Sequence, residues 1–192
     1  MRIILASQSP RRKELFEQIG IEPEVIVSDV KEDVNEFNPA KHVENLSFIK
    51  AKAVFEKLPR SKYEESFAVV GADTVVYSDG NILGKPADRR EAIDMINGLQ
   101  GKSHYVYTGF TIIFSNGMTI TDHSKTTVSV YPMDFEEVME YTSTDEPYDK
   151  AGAYGIQGLF GRYVEKIDGD YNNVVGLPVS KIMQYITKGD KE

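Results

Sequence analysis

The sequence predicts a mixed α/β fold, a mixed and curved β-sheet flanked by helices, and three observations carry that expectation. A short apolar run, Arg2 to Ala6, leads through Ser9-Pro10 straight into a helical pattern. Two long β-rich runs, Tyr105 to Phe114 and Met118 to Tyr131, flank Ser115-Asn116-Gly117, a hairpin signal that breaks the alternation a doubly wound parallel sheet needs. The 192 residues contain no internal repeat, low-complexity tract or obvious linker, so a single domain spanning 1–192 is expected.

The elements follow in order. Ser9 supplies an N-cap and Pro10 the first helical position; Leu15, Phe16 and Ile19 then repeat at helical spacing up to Gly20. This arrangement points the backbone N–H groups of Ser9 to Arg12, and the positive end of the helix dipole, at whatever lies above the strand end. Glu24 to Ser28 reads as a second strand and Asp29 to Pro39 as an acidic loop. Pro39 to Leu58 carries Val43, Leu46, Ile49, Ala53 and Leu58 on a helical stripe. Phe67 to Tyr77 is the most apolar stretch, a central strand interrupted by Gly71-Ala72-Asp73-Thr74, and Asp79-Gly80 turns it into Ile82-Leu83. Asp88 with Glu91 starts a helix to Leu99, and Asp134 with Glu137 caps another to Tyr141. Strands are expected at Arg162 to Ile167 and Tyr171 to Val175, and a last helix starting after Leu177-Pro178 and running to about Thr187.

Composition removes several classes of function. With no cysteine there is no thiol nucleophile, Cys-based zinc site or iron–sulfur cluster, and a reducing compartment, the cytoplasm, is the default. The N-terminal apolar run is too short for a signal-peptide core and no run approaches membrane-spanning length, so a soluble protein is expected. A net charge of −8 argues against general nucleic-acid binding. Yet Arg2, Arg11, Arg12 and Lys13 stand unopposed in residues 1–13, leaving −12 on the other 179 residues. That basic patch is either the solvated face of a helix or an anion site.

Familiar motifs fail. Gly84-Lys85 is followed by Pro86, and Asp79 stands where a P-loop needs its first glycine. His42, His104 and His123 have no ligand spacing, and no serine sits in a nucleophile elbow. Gly152, Gly155, Gly158 and Gly161 recur every three residues, marking a loop whose backbone comes close to something, or simply turns. What remains is charge placed where apolar elements break. Asp73 sits among Val69, Val70, Val75 and Val76, where a carboxylate is costly unless it meets a metal, a cation or a reacting proton; a hydrogen-bonded turn is the structural alternative. Glu32 and Asp33 read by default as solvated loop, Lys50 and Lys85 as surface lysines, with Lys85 the better candidate because Gly84 and Pro86 fix its backbone.

Together LASQSPRRKEL (5–15), the lysine of KAKAV (50–54), GADTVV (71–76), LGKP (83–86), DKAGAYGIQG (149–158) and VVGLP (174–178) resemble, in order, the Maf family of nucleoside triphosphate pyrophosphatases, once labelled septum-formation inhibitors. The resemblance implies an inosine-triphosphate-pyrophosphatase-like fold: an elongated mixed sheet between two lobes with the active site in a cleft. It implies hydrolysis of a nucleoside triphosphate, of the dTTP and UTP branch, to monophosphate and pyrophosphate with Mg²⁺ or Mn²⁺, and a homodimer. Residue by residue it makes Asp73 the proton acceptor, Glu32 and Asp73 the metal ligands with Asp33 as the alternative to Glu32, and Ser7, Arg11, Arg12, Lys50 and Lys85 the phosphate contacts. Arg11, Thr74 and Gln157 take the positions tied to substrate choice. The chemistry agrees: splitting a phosphoanhydride needs its negative charge neutralised and a carboxylate to accept a proton from water. Oxygen ligands suit Mg²⁺ or Mn²⁺ better than Zn²⁺. The rivals are a nucleotide-binding regulator of septum formation without turnover and a pyrophosphatase for a modified purine triphosphate.

Overall fold

A computed structural model of the chain describes residues 1–31, 34–59, 63 and 65–189. Its strands are β1 (Arg2–Ala6), β2 (Glu24–Val25), β3 (Phe67–Ser78), β4 (Asn81–Leu83), β5 (Ser103–Phe114), β6 (Thr119–Val130) and β7 (Val164–Asp168). Its α-helices are α1 (Pro10–Gln18), α2 (Pro39–Lys57), α3 (Arg89–Leu99), α4 (Phe135–Tyr141), α5 (Tyr171–Val175) and α6 (Val179–Gly189). The strands form one mixed sheet in the order β2-β1-β3-β5-β6-β7 with β4 on β3. β1 pairs in parallel with β2 and β3, whereas β3/β4 and β6/β7 are antiparallel. The mixed α/β class expected from the sequence is therefore the one observed.

The chain divides into two compact units, one of residues 1–73, 108–124 and 176–192 and one of 74–107 and 125–175, the division falling inside β3, β5 and β6. In the first, Ile4, Ala51, Val54, Phe67, Val69 and Ile113 form a buried cluster, with the Tyr63 ring 4.9 Å from Phe67. Helix α2 lies close on this core because two glycines let it. A Cβ on Gly71 would collide with the Ser47 carbonyl and stand 2.6 Å from Ala51 N, and one on Gly109 would collide with Val43 backbone. The buried face of α2 therefore reads Val43, Leu46, Ser47, Lys50, Ala51 and Val54. Two of those positions are polar, so the apolar stripe drawn from the sequence, which included Ile49 and Ala53, is rotated from the true one.

In the second unit Val76, Ile96, Leu99, Val106 and Val128 pack with an aromatic group around Phe160, whose ring lies 4.7 Å from Tyr154 and 5.1 Å from Tyr141. The capping boxes expected at Asp88 and Asp134 differ in detail. Asp134 makes the reciprocal box with Glu137, whereas Glu91 reaches back to the N–H of Ala87. Three expectations need correction. β3 runs without interruption through Gly71 to Thr74, and β2 is confined to two residues. The expected strand at Tyr171 to Val175 is helix α5, because the Asn173 amide is buried and donates to Val106 O (3.1 Å) and Thr126 Oγ1 (2.8 Å), contacts that outweigh β-propensity.

His104 on β5 is buried, with Nε2 2.8 Å from the Tyr154 hydroxyl. Burial, with a smaller contribution from the charge of Lys102, pushes its pKa down from 6.5 to about 4. Between those values the unfolded chain binds a proton that the folded chain refuses, so this group contributes stability near neutrality that is lost as pH falls from 6.5 to 4. Thermal melts across that range should show a falling Tm for the wild type and a shallower fall for His104→Gln. Identical slopes would assign the acid sensitivity to other groups.

Candidate active site

The first turn of the molecule is tied from three sides. β1 pairs with β3 up to Ala6 opposite Gly71, and the chain then leaves through buried Ser7. Ser9 has the extended backbone of an N-cap with Pro10 behind it, but its side chain makes no cap bond. The hydroxyl of Ser7 instead braces the turn, accepting from Ser9 N at 3.1 Å and from Arg12 Nη1 at 3.1 Å, and the N–H groups that open α1 keep no side-chain cap from Ser9. Arg12 also donates from Nη1 to Ala72 O (2.9 Å) and from Nε to Gly176 O (2.8 Å). Arg12 is thus a fork that joins the β1–α1 turn, β3 and the turn before α6, as well as a positive charge. Arg11 stands beside it on α1, half-buried.

One residue beyond Ala72, Asp73 is buried in β3 and its Oδ1 accepts from Lys50 Nζ at 2.6 Å. Both side chains are only 10% exposed, so this is a desolvated ion pair. The default reading of Lys50 as a surface lysine, less informative than Lys85, is overturned. Lys50 lies one turn along α2 from Ser47, on the face that Gly71 allows to approach β3. The glycine is the signal that would have found it: GAD in an apolar strand marks a place where backbone, not side chain, meets a helix.

Thr74 follows Asp73 in β3, half-buried, with an interaction of its own. Lys85 is exposed in the segment after β4, where Gly84 O accepts from Gly152 N at 2.9 Å and Pro86 is buried. Gln157 is exposed, and among the described residues none hydrogen-bonds its side chain. The glycines around it each meet something. Gly152 has φ +67° and its Cβ would press on Val76; at Gly155 a Cβ would stand 2.5 Å from Lys150 Cε; at Gly158 it would strike the Glu146 carboxylate; at Gly161 it would stand 2.8 Å from Ile156 O. Glu32 and its alternative Asp33 lie outside the described residues. Ser7, Arg12, Lys50 and Asp73 are accordingly gathered in the first unit, Arg11 with them on α1, while Thr74, Lys85 and Gln157 belong to the second.

Sequence reasoning passed over one further cluster. Glu44 on α2 with Asp122 and His123 on β6 bring their ligand atoms within 4.8 Å of one another, a donor set a divalent cation accepts. Its charges are already engaged by the protein: Lys41 reaches Glu44 at 2.7 Å and Lys181 reaches Asp122 at 2.7 Å. Burial disfavours both carboxylates, yet bonds from Lys41 and His123 hold Glu44 below its usual pKa, as those from Lys181 and Tyr185 do for Asp122. His123 adjoins Asp122, but its approach to Glu44 is tertiary and leaves no trace in spacing. No helix is long and apolar enough to cross a membrane among the described residues.

The family model described as Maf-like protein matches residues 2–189. A protein named dTTP/UTP pyrophosphatase from Thermoanaerobacter pseudethanolicus is 47% identical over 189 residues, covering 98% of this chain and 96% of that one. Another of that name from Alkaliphilus metalliredigens is 45% identical, covering 97% and 95%. Among solved structures, the Staphylococcus aureus Ham1 protein superposes over 99% of this chain and 100% of its own with a TM-score of 0.51 at 13% identity, a likeness of fold alone.

Proposed function

We propose that this chain, which belongs to the Maf family, hydrolyses nucleoside triphosphates, dTTP and UTP in particular, to the monophosphate and pyrophosphate. The observation that carries the proposal is the buried Asp73 carboxylate. It is held by Lys50 inside an apolar strand, one residue from the backbone that Arg12 grips. A fold keeps such a charge at a cost unless the group works.

In this reading Lys50, a phosphate contact by the resemblance, holds Asp73 through Oδ1, and the Asp73 carboxylate accepts the proton of the attacking water. Arg11, Lys85 and the N–H groups opening α1 meet the phosphates, and Arg12 combines charge with its structural ties. Ser7 orients Arg12. Arg11, Thr74 and Gln157 set the choice of base. Gln157 offers an amide donor and acceptor that match the adjacent N3–H and carbonyl of uracil or thymine. A divalent ion, Mg²⁺ or Mn²⁺, would be held by Asp73 with Glu32, or with Asp33 in its place, a set of oxygens that suits such ions; when bound it polarises the phosphoryl oxygens. The family resemblance adds a homodimer to the proposal, and the absence of cysteine adds a reducing compartment, the cytoplasm.

A nucleotide panel tests this reading. UTP and dTTP should be turned over with kcat/KM ~10-fold or more above ATP and GTP, since a pocket built to hydrogen-bond one base leaves its own groups unpaired with another. Excess EDTA should abolish turnover and added Mg²⁺ or Mn²⁺ restore it. Full activity in EDTA would remove the metal from the scheme, and equal efficiency with ATP would remove the reading of the base.

A further inference from the structure

We infer that Glu146 is the positioning residue that fixes the loop carrying Gln157, and so sets how sharply the site distinguishes bases; the inference rests on the specificity role proposed for Gln157. Glu146 opens a 3₁₀ turn, Glu146–Asp149, and its half-buried carboxylate reaches across to the segment that follows Gln157. Oε2 accepts from Leu159 N at 2.7 Å, and Oε1 accepts from Phe160 N at 3.3 Å and from the Tyr141 hydroxyl at 3.2 Å. Three donors converging on one side chain call for a group that only accepts, and an ionised carboxylate is that group.

The rest of the loop is built onto the same residue. Gly158 lies so flat on the Glu146 carboxylate that any Cβ there would collide with it. Lys150 donates from Nζ to the backbone carbonyl of Glu146 at 2.8 Å and lays its stem under Gly155. Tyr141, buried on α4, shares its hydroxyl proton between Glu146 and Ala153 O (3.2 Å). Its ring packs on fully buried Phe160, the residue whose N–H Glu146 accepts. Gln157 therefore projects from a backbone pinned on both sides, at Gly155 and at Leu159, while its own side chain stays exposed. This explains the three-residue spacing of Gly155, Gly158 and Gly161: each glycine is a point of contact with a support.

A hydrogen bond to a base edge tolerates little displacement, so a loose loop weakens base reading before it weakens chemistry. Measuring kcat and KM for UTP and for GTP in the wild type, Glu146→Ala, Glu146→Gln, Gln157→Ala and the double variant Glu146→Ala/Gln157→Ala tests the inference. Glu146→Ala should lower the UTP-to-GTP ratio of kcat/KM by ~10-fold through a raised KM for UTP with kcat little changed. Glu146→Gln, which keeps the length but has one acceptor oxygen, should lower it less. The double variant should fall no further than Gln157→Ala alone, because both changes remove the same interaction. A purely structural role would reduce the active fraction and depress kcat for both nucleotides alike; an unchanged ratio in Glu146→Gln, or in Glu146→Ala beside a collapsed ratio in Gln157→Ala, overturns the inference. An unchanged ratio in Gln157→Ala itself marks instead the failure of the base-reading role, and the inference falls with it.

Discussion

Asp73→Asn is expected to lower kcat for UTP by roughly 10²- to 10⁴-fold while the nucleotide still binds, the range a positioned general base contributes. Asparagine keeps an oxygen at the Oδ1 position, so Lys50 Nζ, 2.6 Å away, can go on donating and the strand stays in place. What is lost is the basic oxygen and one charge. Steady-state kinetics with a direct binding titration separate the two effects. Near-wild-type kcat in the variant would remove Asp73 from the proton-transfer step, whatever its value to the fold.

Lys50→Met should be the most destabilising single change in the first unit and should also silence the enzyme. Methionine fills the space on the buried face of α2 but leaves the Asp73 carboxylate, 10% exposed, without the cation that Lys50 supplies. Breaking a buried pair from one side costs about 3–5 kcal/mol, which for a chain of this size lowers Tm by ~10 °C. Adding Asp73→Asn to Lys50→Met should recover part of that loss, since no buried charge is then left alone, without recovering activity. Thermal melts of the two single variants and the double variant read the coupling directly; additive losses would mean that the two residues do not depend on each other.

Much of the frame was legible because local rules and tertiary structure agree. The β1–α1 turn follows from an apolar run meeting Ser9-Pro10, and the α4 start follows from the Asp134–Glu137 box. Where they disagree the sequence misleads. Tyr171 to Val175 looks like a strand until Asn173 finds its partners on β5 and β6, and the Gly71 to Thr74 break vanishes because Lys50 neutralises Asp73. Both corrections arise from a polar residue satisfied by another far away in the chain, which periodicity cannot register. The same holds in the candidate site. Asp73 was conspicuous as a carboxylate among valines, whereas the depth of Lys50, the triple bonding of Arg12 and the support of Glu146 under the Gln157 loop exist only in three dimensions.

The products formed from UTP test the central claim most directly. Incubation with UTP and Mg²⁺ or Mn²⁺, followed by separation of nucleotides and assay of both phosphate species, should yield UMP and pyrophosphate in equal amounts with no UDP. UDP and orthophosphate would place the cleavage at the wrong anhydride, and binding of UTP without any product would make the protein a nucleotide sensor, contradicting the role given to Asp73.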